Sequence, residues 1–484
     1  MKIMILFIFS LLISSIFSQD KLRWTFELIN HGARTPHLGL DSNLKDFMNH
    51  TWIGQNELTG VGLRQSFLVG YRDRLRYINE KGLISEIYDP RDILVYASEN
   101  NRTLMSASSL LHGLFLPGTG PVINPNLVDR AVPPVDPATY EEEKKELDDA
   151  NCTALPGQMN LVPVHIFFSH EYFTQYETSK KCVGLKSYEE KNKKRKEVEN
   201  FFEEITEKYG SNLNILFPNK NKNSLKDYEF VYTFFDTIIS LYYDGADEFD
   251  KILQIFNVTE ENLLKDSYKF IKLNTVGNGI GNDKEFIDYL VSPLFDKLLH
   301  FMDYRIEKDI KGEINYKGYD LPKYFILSGV ANSCGAFMSF MNQNFGTEIK
   351  YANFSTNIHL ELFLEKNGGD ITEDNYRIEY YYNDDFLLSM KYTEFKNVVK
   401  SKLIKHDDVV KFCKKEEEDE SEINWFMIGT IIASFIVIVL VIVIIVVLRK
   451  RVKENGNEVE DKDKLLRDTN RSSSENEQNN NENK

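Results

Sequence analysis

The sequence predicts an α/β fold: a mostly parallel sheet flanked by helices, with a helical cap insertion and one C-terminal transmembrane helix. Three observations predict it. First, Arg23–Ile29, Ile93–Ala97, Val162–Phe168 and Tyr324–Leu327 are short apolar runs of strand composition, separated by segments of helical spacing, as crossover connections require. Second, strand patterns vanish between about 185 and 310. There Glu189–Tyr209, Leu225–Tyr243 and Asp283–Ile306 read as amphipathic helices, which together form the cap. Third, Trp425–Leu448 is an uncharged run of 24 residues, which as a helix at ~1.5 Å per residue spans ~36 Å, enough for a bilayer.

Taken in order, residues 1–18 read as a secretory signal. Lys2 is the charged start, Ile3–Ile13 the apolar stretch and Ser18 a small residue at the cleavage point. The ectodomain runs over 19–413. Its first crossover helices are Leu58–Arg76, with Leu63, Phe67 and Tyr71 at helical spacing, and Thr103–Phe115. His359–Leu364 and Tyr376–Tyr382 read as late, more exposed strands. An acidic linker, 414–424, leads to the span at 425–448. Arg449, Lys450, Arg451 and Lys453 follow it and hold that end in the cytosol. The protein is therefore expected to be a single-pass type I membrane protein of the cell surface or of endosomal or lysosomal membranes. Its tail, 449–484, is polar and Asn-rich, the composition of a disordered segment. Within it Asp461-Lys462-Asp463-Lys464-Leu465-Leu466 fits an acidic dileucine sorting pattern.

The 484 residues, 42% hydrophobic, suffice for a large core. Net charge is −16. The nine basic and nine acidic side chains of the tail cancel and Lys2 adds one positive charge, so −17 falls on residues 19–424. Such a domain does not suit nucleic acid, and an anionic ligand would need a local basic pocket. The four cysteines, Cys152, Cys182, Cys334 and Cys413, show no CxxC and no zinc spacing. They suit two disulfides, or one plus free thiols, and neither metal nor cofactor is expected. Sequons at Asn49, Asn101, Asn151, Asn257 and Asn353 fit the secretory pathway.

Candidate functional residues gather where strands end, the edge at which open α/β sheets bind ligands. His31 and Arg34 follow the first run, Ser98 and Arg102 the second, and Ser328–Ser333 the fourth. A phosphomonoester needs a nucleophile, cations and an acid for the leaving oxygen. A neutral imidazole, His31, suits the first; Arg34 and Arg102 suit the second.

Asn30-His31-Gly32-Ala33-Arg34-Thr35-Pro36 resembles the histidine acid phosphatase signature Arg-His-Gly-x-Arg-x-Pro, with Asn30 in place of the first arginine. Gln55–Gly70, Ser98–Ala107, Leu161–Cys182 and His359–Asp385 are similar to further family segments, so the resemblance covers most of 22–413. It implies a phosphohistidine at His31, phosphate binding by Arg34 and Arg102, a phosphorylated small molecule as ligand, and a disulfide between Cys182 and Cys413. It also implies a His-Asp pair after the fourth strand, the aspartate being the general acid. Here that pair aligns with Val330 and Ala331. His406-Asp407 lies too late in the chain to replace it and reads as a surface helix end. With Asn30, Val330 and Ala331 altered, hydrolysis is expected to be lost or severely weakened, leaving a cleft that binds a phosphorylated ligand. The alternative is an active acid phosphatase with a substitute acid, for which His37 and Glu99 are the candidates nearest in sequence. Asn49, Asn151, Asn257 and Asn353 are the expected glycosylation sites, with Asn101 set aside because it adjoins Arg102.

Overall fold

The computed structural model describes residues 20–37, 52, 54–149, 152–167, 191, 193–274, 284–313, 321–348, 350–365, 370–413, 435 and 438–449. Two compact units separate at residues 413 and 414. In the first, seven strands form one sheet in the order β3-β2-β4-β1-β5-β6-β7. They are β1 (Lys21–Asn30), β2 (Ile93–Ala97), β3 (His165–Ile166), β4 (Tyr324–Gly329), β5 (Asn357–Leu364), β6 (Tyr376–Tyr382) and β7 (Asp385–Lys391). The helices used below are α1 (Gly60–Asp73), α2 (Asn101–Leu114), α3 (Pro137–Asp149), α4 (Lys196–Tyr209), α5 (Tyr228–Asp244), α6 (Asp247–Phe256), α7 (Glu260–Asn274), α8 (Lys284–Ile310), α9 (Ala331–Phe345) and α10 (Tyr392–Lys400).

Strand alternation sends alternate residues to two apolar layers. Trp24, Phe26 and Leu28 of β1, Phe325 and Leu327 of β4, and Ile358, Leu360 and Leu362 of β5 pack with α8, α9 and α10. Ile29, Val95, Ala97, Tyr324 and Ile326 pack on the opposite face with Val69 of α1 and Ala107, Leu110 and Leu114 of α2. Both faces of β1 and β4 are thus covered, which is why these strands read as near-continuous apolar runs.

Several expectations need correction. The sheet is mixed: β3, β2, β4 and β1 are parallel, whereas β5, β6 and β7 pair antiparallel. β7 arises because Asn383 and Asp384 both take positive φ, 45° and 70°, the geometry of a two-residue hairpin turn. β5 is buried along nearly all its length, not exposed, because β1 and β6 cover its two edges and helices its face. The third strand shrinks to His165–Ile166, and Phe168 lies outside the described residues. The stripe Leu63, Phe67, Tyr71 faces outward, with Leu63 and Tyr71 37% and 39% exposed. The buried face of α1 is Gly62, Ser66, Val69, Gly70 and Asp73 instead. Small residues win there because α2 approaches closely; a Cβ on Gly70 would lie 1.8 Å from the Leu110 carbonyl oxygen.

The helices α4 to α7 enclose a core of their own, built on Phe201, Phe235, Phe256 and Phe270. The segment expected at Asp283–Ile306 behaves differently. Phe286, Leu294, Phe295, Leu298 and Met302 of α8 join the sheet's core, so this helix is a layer of the sheet and not a part of the cap's core. In the second unit, residues 438–449 are helical and apolar side chains from Ile438 to Leu448 are exposed. Among the described residues no helix is long and apolar enough to cross a membrane. Most of 425–437 lies outside them, as do 1–19 and 450–484.

Candidate functional site

β1 and β4 lie side by side with Asn30 opposite Gly329. Their exits therefore open at one place. The His31 N–H donates to the Gly329 carbonyl at 3.3 Å, and the Ser355 N–H donates to the His31 carbonyl at 2.9 Å. The next residues are pinned to both flanking helices. Gly32 N–H donates to Ser106 Oγ of α2 at 3.0 Å and Ala33 N–H to Gln65 Oε1 of α1 at 2.9 Å. Gly32 is required here, since a Cβ would lie 2.2 Å from the Gly62 carbonyl oxygen.

These elements and the cap line a cavity of about 350 Å³, which holds Asn30, His31, Arg34, His37, Arg102, Tyr232, Asp236, Val330, Ala331, Asn332 and Phe354 among its walls. The structure thus brings together the six expected positions Asn30, His31, Arg34, Arg102, Val330 and Ala331. Glu99 is exposed and is not among the lining residues. His406 and Asp407 are exposed at the start of a late helix, outside the cavity.

The His31 ring is buried, 5% exposed. Its Nδ1 lies 2.9 Å from the Gly32 carbonyl oxygen. A carbonyl only accepts, so Nδ1 carries the proton and Nε2 keeps its lone pair. Burial, then the charges of Arg102 and Arg34, hold this imidazole's pKa well below its ordinary value. It is neutral and in the tautomer a nucleophile needs.

The cations are less available. Arg34 forms a two-pronged pair with Asp236 of α5, Nη2 to Oδ1 at 2.8 Å and Nη1 to Oδ2 at 3.2 Å, and its Nη1 also donates to the Thr35 carbonyl. The His37 N–H donates to the same carboxylate at 2.6 Å. Burial opposes the Arg34 charge, but Asp236 more than offsets it and raises the guanidinium's pKa. Arg102, 9% exposed, comes from the first turn of α2. At the first altered position, Asn30 Nδ2 donates to the carbonyls of Ala352 and Asn353 at 3.2 and 2.7 Å. Its Oδ1, an acceptor, has no partner among the described residues.

Val330 is the N-cap residue of α9, without a side-chain cap, and Ala331 opens the helix. Apolar groups therefore stand where the resemblance places a histidine and an acid. Among the lining residues Asp236 carries the one carboxyl, and three N–H donors already engage it. Burial, then Arg34, lowers the pKa of His37, so it too is a poor proton donor near neutral pH. Two helix N-termini, those of α2 and α9, supply partial positive charge at the cavity wall.

Sequence reasoning missed Asp236, Tyr232 and Phe354. Asp236 contacts Arg34 across 202 residues, and no motif surrounds it; its one signal is an acidic residue within the otherwise apolar Phe234-Phe235-Asp236-Thr237-Ile238-Ile239 run. Phe354 packs 5.7 Å from the His31 ring centroid and 5.9 Å from Arg34 Cζ. Of the sequons, Asn49 and Asn151 lie outside the described residues. Asn257 is exposed at the end of α6. Asn353 lines the cavity, whereas Asn101 is exposed, with its Nδ2 donating to Glu57 Oε1 at 3.0 Å. The obstruction argument thus applies to Asn353 more than to Asn101. Cys413 is disulfide-bonded and Cys152 and Cys334 are free; Cys182 lies outside the described residues.

A histidine–arginine cleft lies at the carboxyl ends of the strands, the edge at which an open α/β sheet binds its ligands. The profile of the histidine phosphatase superfamily (branch 2) matches residues 21–383, and the chain belongs to that family. It is 33% identical over 114 residues to lysosomal acid phosphatase of Xenopus laevis, covering 23% of this chain and 25% of that protein. To lysophosphatidic acid phosphatase type 6 of Mus musculus it is 29% identical over 84 residues, 17% and 20% of the two chains. The chain thus spans a quarter or less of the length of these relatives. A phytase from Citrobacter braakii shares the fold, with TM-score 0.51 and 10% identity over 80% of this chain and 99% of that one.

Proposed function

We propose that this protein is a membrane-anchored pseudophosphatase, whose cleft binds a phosphomonoester but turns it over slowly or not at all. One observation carries the reading: Val330 and Ala331 line the same cavity as His31, so a leaving alkoxide meets neither an imidazole nor a carboxylic acid at those two positions. Attack of Nε2 on phosphorus forms an N–P bond and breaks the P–O bond, and the electron pair left on oxygen must find a proton. Losing that acid costs ~10²–10⁴-fold. The Arg34–Asp236 pair lowers the net positive charge offered to the phosphoryl group, and the loss of a charge-stabilising donor costs ~10²-fold or more.

Binding survives this loss. Arg102 and the two helix N-termini remain favourable to an anion, and the neutral imidazole adds no negative charge against it. The cavity accommodates a small phosphate ester. Inorganic phosphate and an aryl phosphate should each bind in calorimetry, with affinity reduced ~10-fold or more by Arg102→Ala. No detectable binding of either by the intact protein overturns the proposal.

The neutral, correctly tautomeric His31 favours a second reading, an acid phosphatase with residual activity toward activated esters. An aryl oxide leaves without protonation, so slow phosphohistidine formation from aryl phosphates is compatible with the site.

The chain's address is part of the proposal. The signal-like 1–18, the run at 425–448 and its basic flank support a type I membrane protein with residues 19–424 lumenal or extracellular. The relatives named as lysosomal support an endosomal or lysosomal membrane. Leu465→Ala with Leu466→Ala should then shift the protein to the cell surface; an unchanged distribution removes the dileucine from the account.

A further inference from the structure

A second group of chemically active side chains lies inside the fold, on the face of β1 and β5 that meets α1. Glu27 of β1 stands directly opposite His359 of β5. Asp73, the last residue of α1, comes down on both. All three are 1% exposed or less. His359 Nε2 is 4.0 Å from Glu27 Oε1 and 3.8 Å from Asp73 Oδ1, and the three donor atoms lie within 4.8 Å of one another.

The hydrogen-bonding around them fixes which atoms face inward. Tyr77 O–H donates to Glu361 Oε1 at 2.7 Å, so its oxygen accepts from His359 Nδ1 at 2.9 Å. The imidazole proton is therefore on Nδ1, and Nε2 presents its lone pair to the Asn357 amide at 2.8 Å, with the two carboxylates at 3.8 and 4.0 Å from it. Tyr324 O–H donates to Glu27 Oε2, which leaves Oε1 toward the centre. Glu27 Oε1, Asp73 Oδ2 and Asn357 Oδ1, all on buried residues, have no hydrogen-bond partner among the described residues. Asn357 Nδ2 lies 2.8 Å from His359 Nε2; turning that amide over would bring Oδ1 to the same point.

Charge is equally unbalanced. Glu361, on the same strand face, is neutralised by a two-pronged pair with Arg76 at 2.7 and 2.8 Å. Glu27 and Asp73 have no Lys or Arg within ion-pair distance among the described residues. Arg72 is paired with Asp384 at the surface. Two ionised carboxylates cannot stay uncompensated in a dry core. Burial raises the proton affinity of both, and the neighbouring Glu27 raises that of Asp73 further.

We propose that Glu27, Asp73 and His359 hold one divalent transition-metal ion of the zinc class, with Asn357 Oδ1 as the fourth donor. Two carboxylates and one imidazole match the ligand preference of such an ion, and its charge balances theirs. The outer contacts are those that orient metal ligands: Tyr77 behind the imidazole and Tyr324 behind the Glu27 carboxyl. Bonds of ~2.0–2.2 Å need neighbouring donors ~3.4 Å apart, so the 3.8 and 4.0 Å spacings to His359 and the carboxylate pair, within 4.8 Å, close through side-chain rotation. The helix changes from α to π at Arg74, directly after Asp73, an irregularity common beside functional sites. The site is closed to solvent and separate from the His31 cleft, so the ion is structural: it ties α1 to the β1–β5 pair and loads during folding.

The full-length protein, purified from cells grown with zinc, should carry about one equivalent of metal by mass spectrometry of its elements. Grown with cobalt, it should show the visible absorption of a four-coordinate Co²⁺ site with nitrogen and oxygen ligands. Glu27→Gln and His359→Leu should each lose the metal and the cobalt bands. The triple change Glu27→Leu, Asp73→Leu, His359→Leu, which fills the same space with apolar groups, keeps the question answerable if single variants fail to fold. Metal below about a tenth of an equivalent in the intact protein, or metal retained at full stoichiometry in a folded triple variant, overturns the proposal.

Discussion

Two loops leave the same edge of the sheet from neighbouring strands. After β1, residues 31–36 keep a nucleophile and a guanidinium, and the backbone of Gly32 and Ala33 is bonded to side chains of α2 and α1. After β4, residues 330–332 enter α9 with a valine cap and an alanine. Their backbones are matched through the Asn30–Gly329 pairing. Beyond that pair the first segment keeps its reactive side chains, and the second, turning into a helix, carries apolar ones. A site can therefore keep the geometry of a reaction while losing the proton transfer that completes it. Geometry is held by backbone hydrogen bonds and glycine contacts, and single side chains at a helix start can change without disturbing them.

The largest effect should come from making the second loop match the first. Asn30→Arg, Val330→His and Ala331→Asp together should raise kcat for an alkyl phosphate by ~10²-fold or more, and each alone by little, because clamp and acid act as a unit. A folded triple variant with no gain would mean that the two loops do not meet as described. Releasing Arg34 is the next step. Asp236→Asn should tighten phosphate binding by about tenfold in calorimetry, since a competing carboxylate leaves the clamp. Unchanged affinity would show that Arg34 does not face the ligand.

The nucleophile also has a stability signature. His31 is held neutral by burial and by Arg102 and Arg34, while the unfolded chain protonates its histidine below about pH 6.5. The folded pKa is the lower one, so the associated stability is complete above that pH and drains as pH falls. The slope is about 1.4 kcal/mol per pH unit while the folded ring stays neutral. Denaturant unfolding of the parent and of His31→Gln between pH 7 and pH 5 should diverge by that slope. Parallel curves would place His31 in a more solvated state. The smallest change concerns the frame: peptide mapping without reductant should join Cys182 to Cys413, and finding Cys182 alkylated as a free thiol would refute it.

Sequence pattern made the edge of the sheet legible because strand alternation and the residues after each strand are local. Ile93–Ala97 and Tyr376–Tyr382 appear with the expected bounds. The outward stripe of α1 shows where pattern failed: apolar spacing named Leu63 and Tyr71, but glycine-mediated contact with α2 decided the buried face. α8 failed for a related reason, as amphipathic spacing does not say which core a helix joins. Asp236 and the Glu27–His359 pair were hidden because each depends on a long-range partner. Glu27 in Trp24-Thr25-Phe26-Glu27-Leu28-Ile29 was visible as an acid inside an apolar strand, and only the β1–β5 register explains what it meets.

Hydrolysis of an alkyl phosphate, whose leaving oxygen needs a proton, by the purified protein between pH 4 and pH 7, beside His31→Ala, tests the central claim most directly. The account predicts a kcat at least ~10²-fold below the 1–10³ s⁻¹ usual for enzymes, with phosphate binding intact. A kcat within that usual range, abolished by His31→Ala, would contradict it.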